Sequence, residues 1–202
     1  RLVSLGFTEG FYYTPRIDKE LLKKYSEGIM ASSACLGGEI PQALMEKGYE
    51  KAAEVLAEFL DIFGEDFYLE LQRHGLEEQE PVNQELIRLA REFNVKLICT
   101  NDCHYVNAGD ARAHDILVCL QTGRDIDDDN RMKYSGEEYL KTREEMFALF
   151  EDIPEAIHNT MEIAEKVEDY DIFTKKILLP VFPLPEGFES EDDYLHHLAF
   201  KG

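Results

Sequence analysis

The sequence predicts an α/β fold of parallel βα units followed by a mainly helical connector, and three observations carry that prediction. Short apolar runs suited to buried strands alternate with stretches at helical spacing between residues 29 and 121. No internal repeat breaks the alternation, and no apolar run reaches the roughly 18 residues a membrane helix needs. Beyond Gly123 the alternation stops, and helical segments with a proline-rich stretch take over.

The elements follow in order. Ile29-Met30-Ala31-Ser32-Ser33-Ala34 reads as a short buried strand, preceded by Glu27-Gly28 and followed by Gly37-Gly38. Helical spacing then runs from Pro41 to Leu44 and from Tyr49 to Phe63, where Ala52, Val55, Leu56, Phe59 and Leu60 share one face and Gly64 stands at the end. Phe67-Tyr68-Leu69-Glu70-Leu71 is the second strand by its aromatic content. A helix opened by Pro81 carries Leu86, Leu89, Ala90 and Phe93 as a stripe and closes at Asn94. Val95-Lys96-Leu97-Ile98-Cys99-Thr100 is the third strand, and a helix from Ala108 to Gln121 is expected to turn Ile116, Leu117 and Leu120 inward.

After an acidic loop from Asp125 to Asn130, two helices are expected, Glu144–Phe150 and Pro154–Val167, the second with Ile157, Met161, Ile163 and Ala164 inward. Leu178 to Gly187 holds Pro180, Pro183 and Pro185 and should run extended. Ser190 then caps a last helix, Tyr194–Phe200. Three βα units are too few to close an eight-stranded barrel, which takes about 250 residues. The sheet is therefore small and open, or the rest of a barrel precedes Arg1; the absence of an initial Met favours a fragment.

Composition narrows the function classes. With 42 acidic against 21 basic residues the formal charge is −21, so most of this surface repels duplex DNA, whose binding depends on neutralised phosphates. The four cysteines, Cys35, Cys99, Cys103 and Cys119, form no CxxC pair. Reduced thiols in a cytoplasmic protein are expected. Cys99 and Cys119 lie in apolar stretches and read as core, and His196-His197 as surface.

Functional groups of parallel α/β folds collect at the carboxyl ends of strands. Here Cys35 follows the first strand, Glu70 and His74 lie in or just after the second, and Asp102-Cys103-His104 follows the third. In extended chain, residues two apart point the same way, so Asp102 and His104 can face one pocket while Cys103 turns aside. A carboxylate, an imidazole and a thiolate together suit zinc, with manganese or iron as alternatives. Each group also has a plainer role: a lone cysteine is commonly core, an Asp can cap a turn, Glu70 can be solvated, and His74 before Gly75 can be a turn residue.

Four stretches sharpen this reading: Glu9-Gly10-Phe11-Tyr12-Tyr13-Thr14-Pro15-Arg16-Ile17-Asp18, Ser33-Ala34-Cys35-Leu36-Gly37-Gly38-Glu39-Ile40, Phe67 through Gly75, and Thr100-Asn101-Asp102-Cys103-His104-Tyr105. In order and spacing they resemble the PHP (polymerase and histidinol phosphatase) domain of the bacterial DNA polymerase III alpha, or catalytic, subunit family. The resemblance continues through Cys119-Leu120-Gln121-Thr122-Gly123, Arg131-Met132, Tyr139-Leu140-Lys141 and Pro154-Glu155-Ala156, and fades near Pro183 to Gly187. It implies part of a PHP-type, distorted TIM-like barrel over 1–123, and over 124–202 a helical, proline-rich connector toward the polymerase palm. It further implies metal ligands at Cys35, Asp102 and His104, with zinc or manganese as the cofactor and the remaining ligands, including an H-x-H motif, before Arg1. The palm aspartates of DNA synthesis lie beyond the chain. The implied parent makes DNA, and its PHP module serves 3′–5′ proofreading hydrolysis or docks a separate exonuclease subunit. Implied partners are the rest of the polymerase chain, a proofreading exonuclease subunit, and DNA through other domains, with no membrane. The alternatives are a free-standing PHP phosphoesterase and a vestigial interaction module.

Overall fold

The structure, a computed structural model, describes residues 1–169, 179 and 181–201. Two compact units divide it, Arg1–Val167 and Glu168–Gly202.

The larger unit is built on a parallel three-stranded sheet of β3 (Ala31–Ser32), β4 (Phe67–Gln72) and β5 (Leu97–Thr100), with β4 in the centre. Ahead of it stand α1 (Leu2–Thr8), a tight antiparallel pair β1 (Phe11–Tyr12) and β2 (Thr14–Pro15), and α2 (Lys19–Lys24). The sequence pattern had assigned no element to this region. Gly10 is required here, because a Cβ would stand 2.0 Å from the Arg16 carbonyl oxygen.

The three βα units form as read. α3 (Glu39–Lys47) and α4 (Tyr49–Phe63) connect β3 to β4, and α5 (Gln79–Phe93) connects β4 to β5. Asn94 ends α5 in the left-handed conformation at φ 53°, and its N–H returns to the Ala90 carbonyl. Phe67, Leu69 and Leu71 alternate into a core completed by Leu56 of α4, by Leu86 and Leu89 of α5, and by Leu97 and Cys99 of β5. The first strand is shorter than its apolar run, since Ala34 turns left-handed at φ 59°.

α6 (Ala111–Thr122) corrects the sequence reading. Ile116, Leu117 and Leu120 point to solvent, and Leu120 is 78% exposed. Val118 and Cys119 are buried instead. Asp115 sits one turn before Cys119 and pairs with Arg131, which sets the face that turns inward. The helix is apolar on more than one side, so periodicity alone did not choose its face.

α7 (Arg143–Leu149) and α8 (Pro154–Lys166) pack onto the same unit. Ala156 and Ile157 of α8 are buried, Ile163 is half-buried, and Met161 and Ala164 are exposed, so the expected inward face is only partly correct. Asn159 Nδ2 donates to the Leu97 carbonyl at 2.8 Å, tying α8 to β5. Arg73 binds this end together: its guanidinium grips Asp152 at 2.6 and 2.9 Å and donates to the Leu149 carbonyl at 2.9 Å. The sequence pattern placed a boundary after Gly123, whereas packing divides the chain after Val167.

The smaller unit contains α9 (Glu191–Lys201), whose Asp193 N–H donates to Ser190 Oγ at 3.1 Å as the capping pattern predicted. Of the expected extended stretch, Leu178 and Pro180 lie outside the described residues.

Candidate metal centre

The carboxyl edge of the sheet gathers the polar groups that the sequence singled out. Alternation along β4 sends Leu69 and Leu71 to the core, and Glu70 and Gln72 to the other face. Glu70 braces the sheet across all three strands. Its carboxylate accepts from Ser32 Oγ of β3 at 2.5 Å, from Thr100 Oγ1 of β5 at 2.5 Å, and from Gln72 Nε2 at 3.2 Å. With its acceptors so used, Glu70 is a structural bracket.

Asp102 and His104 come together directly after β5, with Asp102 Oδ1 3.3 Å from His104 Nε2. Cys103 turns aside as expected, its Sγ 3.7 Å from the Tyr139 carbonyl. Segment 134–140 holds this loop. The Glu138 carbonyl accepts from His104 N–H at 2.7 Å, and the Tyr105 carbonyl accepts from Leu140 N–H at 3.0 Å. Asn101 Nδ2 donates to the Tyr139 carbonyl.

Glu138 was missed by the sequence reading. It is 1% exposed, and its carboxylate accepts from Ser135 N–H at 3.0 Å, Ser135 Oγ at 2.7 Å and Gly136 N–H at 3.0 Å. Burial alone would raise its pKa, but the hydrogen bonds from Ser135 and Gly136 outweigh burial and hold it below the usual carboxylate range. The available signal was Ser135-Gly136, a turn dipeptide just before an acidic residue.

His74 is buried beside Gln79, whose Nε2 lies 3.1 Å from each ring nitrogen. Burial lowers its pKa despite the nearby charges of Glu138 and Asp102, so its imidazole is neutral near pH 7. Cys99 and Cys119 are buried as read, and all four cysteines are free.

Cys35 follows β3, and its thiol is exposed. Gly38 shapes this turn, since a Cβ there would stand 2.0 Å from the Ser33 carbonyl. The left-handed Ala34 just before Cys35 costs about 1–3 kcal/mol. Cys35 shares a small cavity with Glu70, Gln72 and Gln79. β3 and β5 flank β4, so Cys35 and the Asp102–His104 loop follow strands two spacings of about 4.7–4.9 Å apart. Among the described residues, no three His, Cys, Asp or Glu side chains gather closely enough to hold an ion.

Two features bear on whether a divalent ion fits. For ion–donor bonds of about 2.0–2.1 Å, two ligands at a tetrahedral angle stand about 3.3 Å apart, the separation between Asp102 and His104. The same distance also serves a long hydrogen bond. In addition, Gln72 Oε1 and Asn101 Oδ1, at this edge, are buried acceptors without a partner. Carboxylate, imidazole and amide oxygen are donor types that zinc and manganese accept, but within the described residues only the Asp102–His104 pair is brought together.

Residues 1–74 match the PHP domain family, a span that includes Cys35 and stops before Asp102. The DNA polymerase III subunit alpha of Borreliella burgdorferi is 47% identical over 203 residues, covering 100% of this chain and 18% of that protein. The Thermus aquaticus protein of the same name is 43% identical over 208 residues, covering 100% of this chain and 17% of its own length. This chain is a homologue of one segment of the DNA polymerase III alpha subunit. The Helicobacter pylori J99 alpha subunit, 41% identical over 224 residues and likewise matched by the whole chain, agrees. The chain spans about 18% of the length of the alpha subunits it matches. The parallel sheet with its crossover helices is part of a PHP-type α/β fold. No helix of the described residues is long and apolar enough to cross a membrane.

Proposed function

We propose that this chain is the part of a replicative polymerase's PHP module that contributes Asp102 and His104, together with Cys35, to a divalent-metal cluster completed by other residues of the parent protein. The observation that carries the reading is the Asp102–His104 pair, 3.3 Å apart on a loop pinned by Glu138. Bound metals lower the pKa of water and clamp the attacking and leaving oxygens of a phosphodiester, which suits 3′–5′ hydrolysis of a terminal nucleotide. Synthesis of DNA belongs, in this reading, to other segments of the parent, with the rest of that chain and a proofreading exonuclease subunit as partners in a cytoplasmic complex.

A zinc titration of the chain tests the metal reading. One weakly bound ion is expected, lost in Asp102→Ala and in His104→Ala; zinc binding indifferent to both substitutions contradicts it. The isolated chain should not hydrolyse a 3′-terminal single strand, because in-line cleavage needs two ions about 3.5–4 Å apart. A second reading, a stability and docking module with a vestigial site, draws on the full engagement of Glu70 and the burial of His74. No zinc binding by the intact parent would favour it.

A further inference from the structure

A cavity of ≈ 380 Å³ opens between α6 and the loop 131–136, lined by Tyr105, Arg112, His114, Arg131, Lys133 and Tyr134, with Asp115 at its wall. We infer that it binds a nucleotide, with the phosphate held by Arg112 and Lys133 and the base against the rings of Tyr105, His114 and Tyr134. The inference rests on the proposed function only for its setting; binding here requires no metal.

Charge is the first argument. The chain carries −21 overall, yet this cavity has three cations against one carboxylate. Arg131 is spent on Asp115, which it meets in a forked pair with one arm at 2.8 Å, and on the Ile126 carbonyl at 3.0 Å. Arg112 and Lys133 form no ion pair among the described residues, so their charge is available to an anion. By contrast, the cleft lined by Arg88, Arg91, Glu92, Asp152 and Glu155 carries more carboxylates than cations and would repel phosphate.

The rings are the second argument. Tyr134 and His114 meet at 4.8 Å between centroids, and Tyr105 and His114 at 5.2 Å, so flat polarisable walls stand beside the free cations. Cationic groups with aromatic faces are the combination by which proteins hold unpaired nucleotides. The frame is also fixed in advance. The Arg131–Asp115 pair ties the loop to α6, and buried Glu138 holds Ser135 and Gly136. Tyr134 packs on His104 at 4.6 Å, which sets the cavity beside the candidate metal loop.

The test titrates deoxyadenosine 5′-monophosphate, deoxyadenosine and inorganic phosphate into the chain, followed by the ring signals of His114 and Tyr134. The monophosphate should bind at about 1 mM or tighter, and the other two at least about tenfold more weakly. Arg112→Glu and Lys133→Glu should each cost about tenfold or more, at unchanged melting temperature, and the milder Lys133→Ala should follow in the same direction. Zinc binding is titrated separately in the Arg112 and Lys133 variants, where it should be unchanged, so failure of the metal reading remains distinguishable. A six-nucleotide oligoadenylate that binds more tightly than the monophosphate, with the same dependence on Lys133, identifies a strand end as the occupant; equal or weaker binding identifies a free nucleotide. Indifference to both charge reversals, or phosphate binding as tight as the monophosphate, overturns the inference.

Discussion

Glu138 shows how a single residue can set the geometry of a site to which it contributes no ligand. Its side chain folds the turn at Ser135 and Gly136 beneath itself, while its backbone carbonyl holds His104. Glu138→Gln keeps the shape but loses charge-assisted hydrogen bonds, each worth about 1.5–3 kcal/mol. We expect a loss of about 2 kcal/mol in urea unfolding at pH 7. The pH dependence has a definite sign. The folded pKa lies below the ordinary value of 4.5, so this stabilisation is present above that value and is lost as pH falls through the folded one. Unfolding midpoints measured between neutral and acid pH should fall less steeply in Glu138→Gln than in the unsubstituted chain.

At the scale of elements, α5 and α6 explain what the sequence could and could not show. Leu86, Leu89 and Ala90 of α5 are buried together with Val82 and Ile87, while Glu80, Arg88, Arg91 and Glu92 stay exposed, so the charged residues mark the outer face and leave one solution. In α6 the apolar positions surround the axis, and the choice of face was made by the distant partner Arg131, which no local pattern reveals. The prediction follows directly: Leu89→Ala should cost about 2–5 kcal/mol, whereas Leu120→Ala should stay within about 0.5 kcal/mol, both read by urea denaturation. The opposite ranking would mean that α6, not α5, seals the core. The candidate site divides in the same way. Asp102 and His104 were legible because extended chain fixes their common direction. The place of Cys35 relative to them was not, because strand order is a long-range property that puts β4 between their strands. Glu138 was hidden because its role arises from a loop closing across the sheet edge.

For the whole molecule, charge is the dominant constraint. A net −21 leaves duplex DNA without a counterpart for its phosphates. Anisotropy titrations near physiological salt should show no binding at the roughly 10⁻⁴–10⁻⁶ M typical of non-specific binders. Micromolar, salt-sensitive binding would mean that a basic patch such as Lys23-Lys24 outweighs the global field. The central claim, however, is that Asp102 and His104 are ligands of a metal cluster shared with the rest of the parent protein. Anomalous scattering at the zinc edge, from crystals of the full-length protein grown with zinc, tests it most directly. The account predicts a peak within about 2.0–2.2 Å of Asp102 Oδ1 and His104 Nε2. A protein that holds zinc elsewhere, with that pair still joined to each other at 3.3 Å and no peak beside it, would contradict the account.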